Sequence, residues 1–158
     1  MIRVGFGIDV HKFAENRDLW IGGVKIPYEL GLLGHSDADV LIHAICDALL
    51  GAANLRDIGY QFPDTSDEFL NIDSKILLHR TAELIKEKGY AIGNIDATVA
   101  AQAPKLNPHI PSMQQVMASI LDIDPDCLSI KATTTEKLGF EGRKEGITAY
   151  ATVLINKE

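Results

Sequence analysis

The sequence predicts an α/β (α+β) sandwich in which helices cover one face of a mixed sheet. Segments with β-branched residues or alternating apolar and polar residues are interspersed with segments of helical periodicity. Their order is strand, hairpin, helix, helix, strand, helix, strand, strand. A chain of 158 residues also has the size of one domain. We therefore predict a single domain over residues 1–158, with a four-stranded sheet, a short hairpin and three helices on one face.

The N-terminal part contains the first strand, the hairpin and the first helix. Residues 2–9 carry β-branched and aromatic side chains and predict a strand. Residues 20–27 predict two short strands joined by a turn at the Gly-Gly pair. The first helix is expected to have Ser36 as its N-cap and to end at Gly51. Its predicted apolar face consists of Leu41, Ile45, Ala48 and Leu49.

The rest of the chain alternates between loops and regular elements. Residues 56–69 have weak periodicity and contain glycine and proline, so they predict a long surface loop. A second helix is predicted over residues 73–89, with Asp73 as its cap. We expect Ile76, Leu77, Leu84 and Ile85 to face inward from it. Further predictions are strands at 94–101, 129–135 and 147–155, a proline-containing loop at 103–111 and a third helix at 112–121.

Composition and charge narrow the classes of function. The net charge is −7 and no basic run occurs, which argues against a nucleic-acid partner. No apolar stretch has the length of a membrane span and no signal peptide is visible, so no membrane partner is expected. Cys46 and Cys127 have neither disulfide-framework nor metal-site spacing and predict buried thiols in a reducing compartment. We expect a cytoplasmic location in a bacterium, or a plastid location if a transit peptide was removed.

Two clusters of histidine and aspartate predict a metal site. Asp9 and His11 lie two residues apart where the first strand runs out, so their side chains point to the same face. His43 on the following helix could supply a third ligand, leaving a fourth position for water or substrate, as in catalytic zinc sites. Asp39 and Asp47 share a helix face with His43 and could orient its ring.

Several common catalytic motifs are missing from the sequence. It contains no phosphate-binding loop, no dinucleotide-binding glycine motif, no H-E-x-x-H and no G-x-S-x-G. His79 and His109 lie outside the two clusters and are interpreted as ordinary surface or core histidines. The chemistry of this chain is therefore either metal-centred or absent.

Several motifs occur in the same order as in one known family. The metal-ligand pattern joins Asp9-Val10-His11 to Ser36-Asp37-Ala38-Asp39-Val40-Leu41-Ile42-His43-Ala44. Further motifs are Asp57-Ile58-Gly59, Phe62-Pro63-Asp64-Thr65, Ala101-Gln102-Ala103-Pro104-Lys105, Lys131-Ala132-Thr133-Thr134-Thr135-Glu136 and Gly139-Phe140-Glu141-Gly142-Arg143. Together they closely resemble the 2-C-methyl-D-erythritol 2,4-cyclodiphosphate synthase family of the non-mevalonate isoprenoid pathway. The resemblance spans nearly the whole chain.

The resemblance implies two metal ions and a trimeric assembly. It implies one Zn²⁺ per subunit held by Asp9, His11 and His43, and a second divalent ion, Mg²⁺ or Mn²⁺, at Glu136. It also implies a homotrimer whose active sites lie between subunits, with the zinc side and the cytidine side contributed by different chains. An isoprenoid diphosphate could bind in the central cavity, near Phe140, Arg143 and Glu145.

The resemblance also implies a set of substrate contacts. His35 and Thr134 are the implied catalytic residues, placed to stabilise the transition state. Residues 57–59 would contact the methylerythritol portion, residues 62–66 would form a mobile loop and residues 101–107 would form the cytidine pocket. The full implied set is Asp9, His11, His35, Ser36, Asp57, Ile58, Gly59, Phe62, Pro63, Asp64, Thr65, Ser66, Ala101, Gln102, Ala103, Pro104, Lys105, Leu106, Asn107, Ala132, Thr133, Thr134, Thr135, Glu136, Phe140 and Arg143.

The implied reaction is a cyclisation by intramolecular phosphoryl transfer. The 2-phosphate of 4-diphosphocytidyl-2-C-methyl-D-erythritol 2-phosphate attacks the β-phosphorus and expels CMP. Two alternatives stay open at this point. A zinc phosphohydrolase would use the open metal position to activate water. A non-catalytic trimeric binding protein would use zinc only to hold its fold.

Overall fold

The protein is described here by a computed structural model that covers residues 1–157. Seven strands are present: β1 (Ile2–Ala14), β2 (Leu19–Ile21), β3 (Val24–Ile26), β4 (Gly31–Leu32), β5 (Tyr90–Ala100), β6 (Leu128–Thr133) and β7 (Gly146–Lys157). The helices are α1 (Val40–Ala52), α2 (Ile58–Gln61), α3 (Ser74–Glu87), α4 (Ile110–Leu121) and α5 (Gly139–Gly142). Short 3₁₀ turns occur at Asp67–Phe69, Asn107–His109 and Pro125–Cys127.

The main sheet has five strands in the order β4-β1-β7-β5-β6, whereas four were predicted. The additional strand is β4, two residues long, which pairs with the end of β1 and is too short to show a sequence pattern. The sheet is mixed, as predicted, because β5 and β6 are parallel while β7 is antiparallel to both of its neighbours. The predicted hairpin is confirmed as β2 and β3, with positive φ angles at Gly22 and Gly23 in the turn.

Strand β1 continues five residues beyond the predicted end at Asp9 because it pairs with β7 as far as Lys12. One face of β1 carries Gly5 and Gly7, and α1 lies directly on them. A Cβ atom would lie 2.0 Å from the carbonyl oxygen of Ala48 at Gly5, and 2.1 Å from that of Ala44 at Gly7. The absence of side chains at these two positions therefore allows α1 to approach the β1 backbone.

The N-cap of helix α1 is Asp39 rather than the predicted cap, Ser36. The Asp39 carboxylate accepts a hydrogen bond from the Ile42 amide at 3.0 Å, whereas the Ser36 hydroxyl accepts one from the Ala38 amide at 3.1 Å. Ser36 thus closes the loop before the helix instead of capping it. The helix includes Gly51, and it is buried nearly all round, so its predicted apolar face is only part of what it buries.

The other predictions hold with local corrections. Helix α3 is capped by Asp73 as expected, but Ile76 is exposed and Leu84 is half-buried, while Leu78 and Thr81 are buried instead. The predicted loop at 56–69 contains α2 and a 3₁₀ turn. Cys46 is buried, which raises the pKa of its thiol to about 12, whereas Cys127 is only half-buried.

The three long helices lie on one face of the sheet and leave the other face uncovered. Helices α1, α3 and α4 contact the strands and each other. On the opposite side, β1 presents alternate apolar side chains to solvent, and Phe6 is 61% exposed. An exposed apolar surface of this kind indicates a site of interaction. We call it the uncovered sheet face and define it by Ile2, Val4, Phe6, Ile8, Val10 and Tyr150.

Across residues 1–157, none of the helices combines the length and the apolar character needed to cross a membrane.

Candidate active site

The strand residues and the helix residue of the predicted metal site meet where the start of α1 lies over β1. Side chains two residues apart on a strand share a face, so Asp9 and His11 continue the face that carries Gly5 and Gly7. That face is covered by α1, whose fourth residue is His43. The close approach of the helix to the glycines therefore brings the His43 ring to Asp9 and His11.

Three ligand atoms converge at this point. The Asp9 Oδ2 atom lies 2.9 Å from His11 Nδ1 and 3.2 Å from His43 Nδ1, and the two ring centroids are 5.4 Å apart. One potential ligand atom from each residue lies within 4.8 Å of the other two. The His11 Nδ1 atom is buried and has no hydrogen bond of acceptable geometry. A cation bound at this point would satisfy it, so the donor set fits a metal ion.

When no metal is bound, the electrostatics of the cluster favour an ionised Asp9 carboxylate beside a protonated His43 ring. Burial by itself raises the pKa of Asp9, but the neighbouring imidazoles of His11 and His43 together outweigh it, so the net pKa is lowered. Burial by itself lowers the pKa of His43, but the hydrogen bond and charge of Asp9 outweigh it, and the net pKa is raised.

The far side of the His43 ring contacts two serine hydroxyls. The Nε2 atom lies 2.9 Å from Ser74 Oγ and 3.2 Å from Ser36 Oγ. The prediction that Asp39 or Asp47 orients this ring is wrong, because both carboxylates bind backbone amides instead. Asp39 accepts hydrogen bonds from the amides of residues 22, 23 and 42, and Asp47 accepts one from the amide of residue 58.

A cleft of about 270 Å³ opens beside the three ligands. Its polar wall includes His35, whose Nε2 lies 3.2 Å from the carbonyl oxygen of Ser66. Its apolar wall includes the edge-on aromatic pair Phe62 and Phe69, with ring centroids 5.7 Å apart. The residues that line the cleft are Asp9, His11, His35, Ser36, His43, Ile58, Gly59, Phe62, Asp64, Phe69, Ile72 and Leu77.

Most of these residues were predicted, and three were not. Phe69, Ile72 and Leu77 line the cleft, but Phe69 was assigned only to a loop, Leu77 only to a helix core, and Ile72 to no element. Their apolar character gives no sequence signal that separates a cleft wall from a core. Asp57, Pro63, Thr65 and Ser66 lie in the same part of the chain without lining the cleft.

The predicted cytidine side forms a second group of residues. The parallel strands β5 and β6 end together, so the Ala101 amide donates to the Thr133 carbonyl at 2.9 Å. The Gln102 side chain accepts from the Lys137 amide at 3.1 Å. The Thr134 hydroxyl accepts from the Glu136 amide at 3.2 Å. The remaining predicted members of this group are Ala103, Pro104, Lys105, Leu106, Asn107, Ala132 and Thr135, of which Leu106 is buried and Lys105 is exposed.

Within one chain, the residues around the metal cluster and the predicted cytidine-side residues lie apart. Strands β7 and β5 lie between β1 and β6, so at the ordinary spacing of neighbouring strands the axes of β1 and β6 are about 14 Å apart. None of the residues that line the cleft comes from 101–107 or 132–136. The structure therefore brings the metal ligands together with His35 and Ser36, but not with Thr134 or Glu136.

Phe140 in α5 and Arg143 directly after it lie in a third place, just before β7. Arg143 Nε lies 2.7 Å from Glu145 Oε1, and both side chains are exposed. The Glu145 carbonyl accepts from the Phe13 amide at 2.9 Å, which ties this turn to the end of β1.

Comparison with known proteins gives consistent results over the full chain. The model of the YgbB family matches residues 2–156. The 2-C-methyl-D-erythritol 2,4-cyclodiphosphate synthase of Bacteroides fragilis is 70% identical over 156 residues, which cover 99% of this chain and 98% of that protein.

Two solved structures illustrate the similarity of this fold to known ones. The bifunctional IspDF of Campylobacter jejuni has a TM-score of 0.96 and 47% identity, covering 100% of this chain and 43% of that one. This chain thus spans less than half of that bifunctional protein. An IspF–CDP complex from Plasmodium falciparum has a TM-score of 0.87 and 38% identity, covering 99% of this chain and 97% of that one.

Proposed function

The chain belongs to the YgbB family, and from this premise we propose that it is a metal-dependent cyclase. Its activity is that of a lyase-type enzyme, as in its relatives. The proposed substrate is 4-diphosphocytidyl-2-C-methyl-D-erythritol 2-phosphate, and the products are 2-C-methyl-D-erythritol 2,4-cyclodiphosphate and CMP. The observation that carries this proposal is the convergence of Asp9, His11 and His43 beside an open cleft.

The reaction requires positioning more than proton transfer. An oxygen of the 2-phosphate forms a bond to the β-phosphorus, and the bond from that phosphorus to the bridging oxygen breaks. CMP leaves with the electron pair. Because the attacking phosphate is already ionised at neutral pH, no strong general base is needed. The site must hold two anionic phosphates in contact and neutralise the charge that develops.

In this proposal the metal site stabilises the developing charge, and a separate set of residues holds the phosphates in place. Asp9, His11 and His43 would hold zinc, which when bound supplies Lewis-acid stabilisation of charge on a phosphoryl oxygen. His35 and Ser36, on the loop before α1, hold the diphosphate beside the ligands. The exposed Glu136 carboxylate suits a hard second cation, Mg²⁺ or Mn²⁺.

We assign the two sides of the substrate to the two groups of residues. The methylerythritol portion contacts residues 57–59 and 62–66 near the metal ligands, while cytidine binds residues 101–107. Thr134 and the other residues of 132–136 contact the phosphates from the nucleotide side. The CDP in the P. falciparum complex supports a cytidine nucleotide as ligand. The single domain over 1–158 and the cytoplasmic location stay predictions.

We further propose that the enzyme is a homotrimer with active sites between subunits. Two observations support this assembly. The uncovered sheet face leaves apolar side chains such as Phe6 in solvent, where a partner subunit would bury them. The separation of about 14 Å between β1 and β6 keeps the two halves of the site apart within one chain. A ring joins one subunit's metal side to its neighbour's nucleotide side. An isoprenoid diphosphate could then bind near Phe140 and Arg143.

Incubation of the enzyme with the cytidine substrate and divalent metal tests the reaction. We expect CMP together with the cyclic diphosphate, identified by ³¹P NMR and mass spectrometry. A hydrolase would also release CMP, but its second product would be the acyclic bisphosphate. His43→Ala serves as the control and should form neither product while keeping its fold. Formation of only the acyclic product would exclude the cyclase and favour the hydrolase.

A further inference from the structure

We infer that Ser74 and Asp37 act as a positioning pair that sets the tautomer of His43 and so presents its Nδ1 atom to the metal. This inference rests on the metal site of the proposed function. Neither residue lines the cleft, and Ser74 is fully buried, so the pair acts through the His43 ring rather than on substrate.

Hydrogen bonds run in series from His43 to Ser74 and on to Asp37, away from the metal cluster. His43 Nε2 lies 2.9 Å from Ser74 Oγ. The Ser74 hydroxyl donates in turn to Asp37 Oδ1, and the Ser74 amide donates to Asp37 Oδ2 at 3.0 Å. Asp37 Oδ1 also accepts from the Asp39 amide at 3.1 Å. The serine is therefore held by both its backbone and its side chain against one carboxylate.

The direction of each hydrogen bond follows from the number of protons available. An aspartate carboxylate can only accept, so the single hydroxyl proton of Ser74 goes to Asp37. Ser74 Oγ is then left with lone pairs, and toward His43 it can only accept. The proton that it accepts must come from His43 Nε2. The Asp9 carboxylate can likewise only accept, so without a metal Nδ1 also carries a proton. A metal ion displaces that proton, and the one proton of the neutral ring is then kept on Nε2.

The deprotonated atom is the one that faces the other ligands. His43 Nδ1 lies 3.2 Å from Asp9 Oδ2, inside the cluster formed with His11. Metal-bound histidines are commonly oriented through their second ring nitrogen, usually by a carboxylate or carbonyl. In this protein a serine hydroxyl stands between the imidazole and the carboxylate. Ser36 Oγ is a second, longer contact of Nε2 at 3.2 Å and keeps the ring in place when Ser74 is changed.

Two substitutions separate this role from simple packing. Ser74→Ala removes the hydroxyl but keeps the backbone amide that binds Asp37. Asp37→Asn keeps the shape and can donate to Ser74 Oγ, which would free the serine proton to point at Nε2 and remove the acceptor of the Nε2 proton. Thr81→Val is the matched control, because Thr81 is another fully buried hydroxyl residue on α3 that contributes no ligand to the metal cluster.

Zinc affinity of the purified protein, measured by competition with a chromophoric chelator, is the first readout. We expect Ser74→Ala and Asp37→Asn to weaken it by about 10–100-fold, while Thr81→Val changes it by less than about threefold. The second readout is the His43 ring proton in the zinc-loaded protein, from ¹H–¹⁵N NMR. We expect a slowly exchanging Nε2–H in the wild type and faster exchange of that proton in Asp37→Asn, where Ser74 no longer accepts it.

The outcomes distinguish this inference from the proposed function. A wild-type protein that binds zinc, with unchanged affinity in Ser74→Ala, would overturn the inference alone. A zinc-loaded wild type whose His43 ring keeps its proton on Nδ1 would overturn it even if Ser74→Ala failed to fold. A wild-type protein that binds no zinc would overturn the metal site of the proposed function, on which the inference depends.

Discussion

At the scale of single residues, spacing along a strand was enough to predict that the side chains of Asp9 and His11 lie together. Asp9 and His11 share a face because the strand period is two residues, and His43 lies in the first turn of the helix that covers that face. The partners of His43 were not predictable in the same way. Ser74 lies 31 residues further along the chain, and a serine at the start of a helix has an ordinary local explanation.

The raised pKa of His43 makes metal binding depend on pH. Its pKa lies above the ordinary value of 6.5 in the metal-free protein because the opposing effect of burial is outweighed by Asp9. The metal needs the neutral ring, so protons compete increasingly as pH falls through the raised pKa. The pKa of Asp9 is lowered, so Asp9 stays ionised over this range. We expect zinc affinity to decline from a pH above 6.5 downward, measured by competition titration.

The stability of the metal-free protein should show the opposite trend. A group with a raised folded-state pKa contributes stability that is complete below its unfolded pKa and is lost as pH rises through the folded one. The His43 contribution should therefore disappear at alkaline pH, where zinc binds best. His79→Gln, a change at an exposed histidine, is the control and should alter neither curve. A midpoint of zinc affinity below 6.5 would contradict the assignment to His43.

At the scale of elements, the sequence predicted the wrong N-cap for α1, the helix that carries His43. Ser36 and Asp39 are both good N-cap residues, and only the tertiary structure decides between them. Asp39 is chosen because its carboxylate also accepts from the amides of Gly22 and Gly23, which fastens the hairpin to the start of α1. Burial leaves that carboxyl with a raised pKa despite these bonds.

Gly7→Ala tests whether the contact between α1 and β1 sets the geometry of the metal ligands. A Cβ atom there would lie 2.1 Å from the Ala44 carbonyl oxygen, so the helix must move away from the strand. We expect a loss of about 1–3 kcal/mol in the free energy of unfolding, measured by urea denaturation. We also expect weaker zinc binding, because His43 moves with the helix.

Gly51→Ala is the matched control on the same helix. A Cβ atom at Gly51 would meet nothing within 4 Å, and alanine is the better helix former. We expect unchanged zinc affinity and a gain in stability of up to about 1 kcal/mol. Equal zinc affinity in Gly7→Ala and in the wild type would mean that the helix-to-strand distance does not control the site.

At the scale of the whole molecule, the fold class follows from local patterns, but the order of the strands in the sheet and the complete site do not. The alternation of Ile95, Ala97 and Val99 predicts a strand whose buried side the structure confirms. A single chain, however, carries the metal ligands and Thr134 on separate parts of the sheet. Whether a neighbour joins them is a property of the assembly, which a strand or helix pattern does not encode.

Subunit complementation tests this assembly directly. His43→Ala inactivates the metal half of a shared site, and Lys105→Ala combined with Thr134→Ala inactivates the nucleotide half. In a ring of subunits drawn at random from an equal mixture, about one interface in four pairs two intact halves. Co-refolding the two inactive proteins should therefore restore about a quarter of wild-type activity, measured as the rate of cyclic product formation.

The control mixture uses two variants that damage the same half. His43→Ala and His11→Ala both remove metal ligands, so no interface between them has an intact metal half and the co-refolded mixture should stay inactive. Mixing the complementary variants as preformed trimers, without subunit exchange, should also restore nothing, because each closed ring keeps its original set of interfaces. Native mass spectrometry must confirm mixed trimers before the result is interpreted. If verified mixed trimers of the complementary pair remain inactive, each site lies within one chain and the inter-subunit model is wrong.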